Sequence, residues 1–323
     1  VTTTRSGREV FEPKRALYTE PDESVNTLCE ICKSIKISTS PDEIIAIGAG
    51  IGGGFTNTQE LHVMKYKEAM RTKDKDKWIK AVKEELDRFK KHNVFEVVKL
   101  QDLPEGITLL TTTWAMKKKS NGQFRARLNM RGFEQQDGDH YDSASISSPV
   151  TNDVSIRVLL TIMLMANMNA YIVDVQGAFL HGEFDNGEIL YCKIPEGFRD
   201  AYDPTVECWK LLKTAYGLKQ AARMFWNKIV KVMNQMGFTR SVGDPCIYWK
   251  WTKRGLLIWV SWIDDMLCIG HPEDVEESKN EFMRIFKCDD VGEFKEYVGC
   301  KITQVEVMKM NSNYPTENLE HQH

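Results

Sequence analysis

The chain has 323 residues and a mass of 37.2 kDa, of which 42% are hydrophobic and 28% charged, the composition of an ordinary folded protein. The net charge of −3 and the isoelectric point near 6.2 exclude a uniformly basic nucleic-acid-binding protein but leave room for a local basic patch. No apolar run approaches the ~18–20 residues that span a bilayer, and the N-terminus is polar rather than a signal peptide.

Residues 1–60 carry little periodicity and many Ser, Thr, Pro and Gly residues, which predicts a linker or arm. Residues 47–54 formally match the dinucleotide fingerprint G-x-G-x-x-G, which requires a preceding strand and a following helix. Only a short apolar run precedes the glycines and no helical pattern follows, so a flexible linker is favoured over a dinucleotide site. Cys29 and Cys32 form half of a zinc pattern without a second pair.

The first periodic part of the chain predicts a helix followed by a basic hairpin. Apolar positions at Trp78, Val82, Leu86 and Phe89 indicate one amphipathic helix over residues 66–91. Strand-like runs follow at 94–98 and 111–118, and 123–131 completes a hairpin across a turn at 120–122. The basic side chains of this hairpin are Lys117, Lys118, Lys119, Arg125, Arg127 and Arg131, with no acid among them. They fit either a solvated edge strand or a surface that contacts phosphate.

The remaining elements predict an α+β fold with helices packed on one face of an antiparallel sheet. Helices are expected over 153–168, apolar nearly all round and therefore buried, from 216–220 to Gly237, and from Pro272 onwards. Strands are expected over 171–175, 189–194, 246–251 and 296–302. Cys246 and Cys268 lie inside apolar runs, so we expect reduced core thiols rather than disulfides.

Two adjacent acids dominate the apolar stretch at residues 256–270, which reads LLIWVSWIDDMLCIG. This pattern predicts two buried strands that meet at a tight turn carrying Asp264 and Asp265. Asp174 lies inside a second β-branched run, where Asp is disfavoured. A polar hairpin turn would explain the first pair alone. Three strand-borne carboxylates instead favour a two-metal phosphoryl-transfer site with Mg²⁺ or Mn²⁺, because hard cations prefer carboxylate oxygen.

Motifs in a fixed order resemble the reverse transcriptases of copia-type (pseudovirus) LTR retrotransposons, a domain of the Pol polyprotein. The matching blocks are residues 78–85, 124–132, 148–150, 173–175, 177–180, 212–220 (LKTAYGLKQ), 244–246, 263–265 and 297–299. The resemblance implies an RNA-directed DNA polymerase with a right-hand palm and fingers over residues 61–302. Residues 1–60 would be a linker downstream of an integrase-like region. Residues 303–323 form a tail that resembles nothing recognisable, and the family's thumb and RNase H portions are not found, as in a truncated element.

The resemblance also implies roles for individual residues. Asp174, Asp264 and Asp265 would be the catalytic, metal-binding triad. Phe179 would lie beneath the sugar of the incoming nucleotide. The residues expected to contact the nucleotide are Arg127, Arg125, Phe179, Tyr216 and Gly217, the last two also supporting the template strand.

The implied partners are an RNA or DNA template with its primer, deoxynucleoside triphosphates and other parts of a Pol polyprotein, with no membrane. The implied location is the cytoplasm, within a virus-like particle, or the nucleus, without secretion. The alternative from another functional class is an inactive remnant that keeps the fold and binds nucleic acid without turnover.

Overall fold

A computed structural model describes residues 63–118, 122–185 and 187–293, and the backbone of four two-residue strands beyond these ranges. The described helices are α1 (Tyr66–Ala69), α2 (Lys75–Lys91), α3 (Asp153–Met165), α4 (Ala221–Gln235) and α5 (Pro272–Ile285). The strands are β1 (Thr2–Thr3), β2 (Glu9–Val10), β3 (Phe95–Lys99), β4 (Leu109–Leu110), β5 (Thr112–Lys118), β6 (Phe124–Met130), β7 (Asn169–Val175), β8 (Leu190–Lys193), β9 (Glu207–Leu211), β10 (Thr239–Arg240), β11 (Ile247–Trp251), β12 (Leu256–Trp262), β13 (Asp265–Gly270), β14 (Cys288–Glu293), β15 (Glu296–Tyr297) and β16 (Cys300–Lys301).

A six-stranded antiparallel sheet carries the acidic residues, with the strand order β10-β11-β12-β13-β7-β14. Side chains alternate between its faces, as the strand period of two requires. Leu257 and Trp259 of β12 pack with α4 and α5, whereas Ile258 and Val260 pack with Leu159 of α3. Helices therefore cover both faces, and the prediction of helices on one face was wrong because every position of β12 from Leu256 to Val260 is apolar and buried.

A second core lies around α2, a four-stranded sheet and the β5–β6 hairpin. The sheet has the order β3-β9-β8-β4, in which β4 and β8 run parallel. The large side chains Trp78, Phe89 and Trp209 are almost completely buried in this core. Phe179 packs against both this core and the one formed by α4 and α5, so it lies where the two parts of the protein meet.

The predicted basic hairpin and acidic hairpin are both confirmed, the first by β5–β6 pairing and the second by β12–β13 pairing. The single helix expected over 66–91 is instead α1 and α2, separated by a turn at residues 70–74. Strands β9 and β14 were not predicted. The strand expected over 296–302 is described only as the backbone of β15 and β16.

Helix α3 is less buried than its apolar composition predicted. The Asn152 side chain accepts a hydrogen bond from the Val154 backbone N–H at 2.9 Å and thereby caps the N-terminus of the helix. Only Leu159, Ile162 and Met163 are buried, and Val154 is 65% exposed. The helix packs on the sheet through one face, so the apolar residues of the opposite face remain at the surface.

The described cysteines are free thiols. Cys246 and Cys268 are buried, as the sequence predicted for reduced core thiols. No helix in the described ranges is long and apolar enough to cross a membrane. Cys29, Cys32, the glycine run 47–54, Lys119 and the tail 303–323 lie outside the described residues.

Candidate active site

The strand register places two of the predicted acids directly opposite each other. Strands β12 and β13 are joined by the two residues Ile263 and Asp264, and Asp265 begins β13. Asp265 is the antiparallel partner of Asp174 on β7. The Cα atoms of such partners lie about 4.5–5.5 Å apart and their side chains share one face of the sheet. The fold thus brings together a pair of carboxylates that are 91 residues apart in sequence (265 − 174).

The turn that carries Asp264 holds a strained backbone conformation. Ile263 has φ = +56°, in the left-handed region that β-branched residues rarely adopt, and its side chain is 44% exposed. The Asp264 carbonyl accepts a hydrogen bond from the Val175 backbone N–H at 2.9 Å, so the turn is tied to the end of β7. This bond fixes Asp264 next to the strand that carries Asp174.

Burial and repulsion from neighbouring carboxylates disfavour the charged forms of Asp174 and Asp265 in the absence of bound cations. Burial raises the pKa of Asp265 to about 6, and the carboxylates of Asp264 and Asp174 add to the effect. Burial also raises the pKa of Asp174, with further contributions from Asp264 and Asp289, whereas Arg125 and Arg127 oppose the rise. A site built in this way is stabilised by any bound cation that neutralises the carboxylates.

The chemistry of the donor set fits Mg²⁺ or Mn²⁺, because carboxylates are hard oxygen ligands and the pair is half-buried. Within the described residues, however, no three acidic, His or Cys side chains already converge on one point that could hold an ion. The backbone therefore places Asp174, Asp264 and Asp265 as neighbours, and their side chains would have to rotate towards a common ion.

Stability of the metal-free protein should depend on pH through this pair. Asp265 has a pKa of about 6 in the folded chain and about 4 in the unfolded chain, so the folded state binds more protons between these values. The free energy of unfolding should therefore fall as pH rises from about 4 to about 6. Asp265→Asn should flatten this part of the profile, which denaturant titrations of both proteins in a chelator would measure. An identical pH profile for the two proteins would contradict the shifted pKa.

Two arginines of the hairpin, Arg125 and Arg127, lie close enough to Asp174 to oppose the rise of its pKa. The Arg127 guanidinium lies over the Tyr216 ring at 5.1 Å from its centroid. Its Nε atom is buried and has no hydrogen-bond partner among the residues that the structure describes. Burial, with repulsion from Arg127, lowers the pKa of Arg125. These guanidinium groups therefore form a partly desolvated cationic pair suited to an anion.

Two other basic residues of the hairpin, Lys118 and Arg131, contact neighbouring protein side chains. The Lys118 ammonium lies 5.2 Å from the centroid of the Phe124 ring, and Arg131 pairs with Glu134 at 3.8 Å. The sequence showed no acid within the hairpin, yet Glu134 and Glu85 reach it from the following turn and from α2. Arg125 and Arg127 instead oppose the rise in the pKa of Asp174.

The aromatic and glycine positions predicted for the nucleotide lie side by side. The rings of Phe179 and Tyr216 are 5.7 Å apart in an edge-to-face arrangement. Gly217 has φ = +87°, and a Cβ atom there would lie 2.2 Å from the Met130 carbonyl oxygen of β6. The Met130 N–H donates to the Tyr216 carbonyl at 2.7 Å. Tyr216 and Gly217 are therefore held tightly against the strand that carries Arg125 and Arg127.

A buried amide pair that the sequence did not indicate fixes the start of α4. Gln135 Nε2 donates to Gln220 Oε1 at 2.9 Å, and Gln135 Oε1 accepts from the Lys219 backbone N–H at 2.8 Å. Gln220 Nε2 donates to the His140 carbonyl at 3.0 Å and to Glu188 Oε2 at 3.0 Å. These bonds anchor the segment that follows Tyr216 and Gly217.

Two acidic residues near the site were also missed. Asp289 of β14 is the antiparallel partner of Asp174, on the side opposite Asp265. Only the pairing of β7 between β13 and β14 reveals it, and β14 was not predicted. Glu85 is buried in α2, and here the sequence does contain a signal, because it stands within the apolar stripe formed by Trp78, Val82 and Leu86.

Comparison with known proteins decides the family. The model of a family described as reverse transcriptase (RNA-dependent DNA polymerase) matches residues 92–316, which include both acidic strands and the arginine strand. The chain belongs to this reverse transcriptase family. The family match confirms the resemblance read from the motifs, and the hairpin geometry lies within the matched residues.

Similar curated proteins are retrotransposon polyproteins. The chain is 33% identical over 245 residues to the Retrovirus-related Pol polyprotein from transposon TNT 1-94 of Nicotiana tabacum, covering 74% of this chain and 18% of that protein. It is 28% identical over 208 residues to the corresponding polyprotein from transposon RE1 of Arabidopsis thaliana, covering 62% of this chain and 14% of that protein. The reverse transcriptase thus spans less than a fifth of the length of these two relatives.

Proposed function

We propose that this chain is an RNA-directed DNA polymerase of a copia-type retrotransposon. In this reaction the primer 3′ hydroxyl attacks the α-phosphorus of a deoxynucleoside triphosphate. The bond to the β-phosphate breaks, and pyrophosphate leaves. The observation that carries the proposal is the juxtaposition of the Asp174–Asp265 pair with Arg125 and Arg127, in a chain that belongs to the reverse transcriptase family.

In this proposal the two cores would be the two parts of a right-hand polymerase. The six-stranded sheet with α3, α4 and α5 would be the palm, and α2 with the β5–β6 hairpin and the four-stranded sheet would form the fingers. Phe179 packs against both cores, so the incoming nucleotide would lie at their boundary. Residues 61–302 would form this unit, with residues 1–60 as a linker.

Asp174, Asp264 and Asp265 would hold the metal ions. Bound Mg²⁺ or Mn²⁺ would supply activation of the attacking hydroxyl and neutralisation of the leaving pyrophosphate. The raised pKa of Asp174 and Asp265 supports this assignment, because burial and repulsion between neighbouring carboxylates disfavour their charged forms, and bound cations would relieve both effects.

The chain's own cations would act on the triphosphate. Arg125 and Arg127 are fixed in a partly buried pair, where a guanidinium group stabilises phosphate charge more strongly than in open water. Tyr216 holds the Arg127 guanidinium from one side, and Gly217 brings the chain close to β6. Such preorganised groups bind the charge of the reacting phosphates without moving during the reaction.

Phe179 is proposed to select the sugar of the incoming nucleotide, because a ring packed beneath the sugar leaves no room for a 2′ hydroxyl. Phe179→Ala should lower discrimination against ribonucleotides by roughly 10–200-fold, the range that a single steric group provides. Competing incorporation of matched ribo- and deoxynucleotides would measure the ratio. Phe184→Ala is the control, since Phe184 also packs partly buried against the α2 core. Unchanged discrimination in Phe179→Ala would leave Phe179 as a core residue.

The proposal is tested by extension of a labelled primer on RNA and on DNA templates by the purified chain, with Mg²⁺ and with Mn²⁺. We expect template-directed deoxynucleotide addition on both templates. A chain that binds the primer–template but adds no nucleotide would instead be an inactive nucleic-acid-binding remnant. As part of a retrotransposon Pol polyprotein, the enzyme would act in the cytoplasm, within a virus-like particle, or in the nucleus.

A further inference from the structure

Glu85 is a buried carboxylate at the base of the arginine pair. It lies on α2 and is 1% exposed, whereas the other buried side chains of this helix are apolar. A charged group is retained at such a position only when it is paired and hydrogen-bonded. Its partners therefore indicate what it does.

Both carboxylate oxygens of Glu85 are occupied. Oε2 accepts a hydrogen bond from Arg88 Nη1 at 2.5 Å, within the same helix. Oε1 accepts the backbone N–H of Leu128 at 3.2 Å, which belongs to the peptide unit that directly follows Arg127. Glu85 thereby connects α2 to β6 at the peptide group next to Arg127, in the middle of the strand.

Three guanidinium groups act on the Glu85 carboxylate. Arg88, Arg125 and Arg127 all oppose the rise of its pKa that burial causes. Arg88 pairs with the carboxylate directly, whereas Arg125 and Arg127 interact electrostatically with both Glu85 and Asp174. The Glu85 carboxylate therefore lowers the repulsion among the arginines, two of which also act on Asp174.

We infer that Glu85 is a positioning residue for nucleotide binding: it fixes the peptide after Arg127 and holds the Arg125–Arg127 pair in place for a triphosphate. This inference rests on the proposed polymerase function. Glu85 touches neither Asp174 nor Asp265 through any described hydrogen bond, so its effect reaches the nucleotide through the arginines.

The test compares Glu85→Gln with Asp274→Asn in single-nucleotide primer extension. Glutamine keeps an oxygen that accepts the Leu128 N–H but removes the charge that groups the arginines. Asp274 is the matched control, a buried acid on α5 that pairs with Arg254 at 2.7 Å. It lies beside the β11–β12 turn, at the end of β12 opposite the acidic turn. Each of the two substitutions removes the charge of one buried carboxylate on a helix, so the two variants are matched.

Glu85→Gln should raise KM for the deoxynucleotide about tenfold, with kcat and the Kd for primer–template within about twofold of the unaltered chain. Asp274→Asn should leave all three constants unchanged, even where it lowers Tm as much as Glu85→Gln does. A loss in Glu85→Gln that appears in kcat or in primer–template affinity, with KM unchanged, would overturn the inference.

A binding measurement separates this inference from the polymerase proposal. Inorganic tripolyphosphate is titrated calorimetrically into the unaltered chain and into Glu85→Gln. Weaker binding by the variant, again about tenfold, supports the positioning role even if neither protein extends a primer. Equal binding by both proteins overturns it. Absence of extension by the unaltered chain bears on the polymerase proposal alone.

Discussion

Asp264→Asn should reduce primer extension by about a thousandfold or more, while the chain keeps its fold. Asparagine has the same size and preserves the turn between β12 and β13, but it replaces a charged ligand of the proposed metal site by a neutral one. The same loss is expected for Asp174→Asn. Burst-phase extension of a labelled primer at saturating nucleotide would measure the chemical step directly.

Asp289→Asn provides the matched control for this prediction. Asp289 flanks Asp174 on β14 and contributes to its raised pKa, yet it lies outside the predicted triad. Its loss should change extension by less than about tenfold, because it alters only the field around Asp174. Without divalent cations, each of these substitutions should raise Tm, since repulsion among the carboxylates is relieved. Extension by Asp264→Asn at the rate of the unaltered chain would contradict the metal assignment.

The parts of the site that depend on local sequence could be predicted. The hairpin around Asp264 and Asp265 follows from two apolar runs and a two-residue connection, because strand pairing across a short turn has few alternatives. The strand that carries Arg125 and Arg127 could likewise be predicted, from the turn that precedes it and from the alternation of apolar and polar residues along it. In each hairpin the paired residues lie at most 18 positions apart (130 − 112).

The contacts that complete the site connect distant parts of the chain and could not be predicted. Asp289 reaches Asp174 only because β14 pairs with the free edge of β7, and β14 has a mixed polar pattern without strand alternation. Gln135 and Gln220 meet across 85 positions through side-chain amides whose partners no periodicity reveals. The number of sheet faces covered by helices was also predicted wrongly. A strand that is apolar on both sides, such as β12, does not show which of its sides a helix covers.

Gly217→Ala should destabilise the fold severely, by about 2–5 kcal/mol, through two separate penalties. A left-handed φ of +87° disfavours any residue with a Cβ atom, at about 1–2 kcal/mol. The added Cβ would also lie 2.2 Å from the Met130 carbonyl oxygen, and the backbone shift needed to relieve this contact costs about 1–3 kcal/mol more. Equilibrium denaturation in urea would measure the sum.

Two other glycines separate these penalties. Gly237 has φ = +80°, but a Cβ atom there meets nothing within 4 Å, so Gly237→Ala carries the conformational penalty alone. Gly132 has no positive φ, but its Cβ atom would lie 2.2 Å from the Gly217 carbonyl oxygen, so Gly132→Ala carries the steric penalty alone. The loss in Gly217→Ala should therefore approach the sum of the losses in these two variants.

The consequence of Gly217→Ala for function follows from the same contact. A shift of Gly217 away from β6 would weaken the bond between the Met130 N–H and the Tyr216 carbonyl, and the Tyr216 ring would move from beneath the Arg127 guanidinium. Any folded fraction should then show a higher KM for the nucleotide, whereas Gly237→Ala, at the end of α4, should not. A Gly217→Ala protein as stable and as active as Gly237→Ala would show that the close approach of Gly217 to β6 does not hold the nucleotide site together.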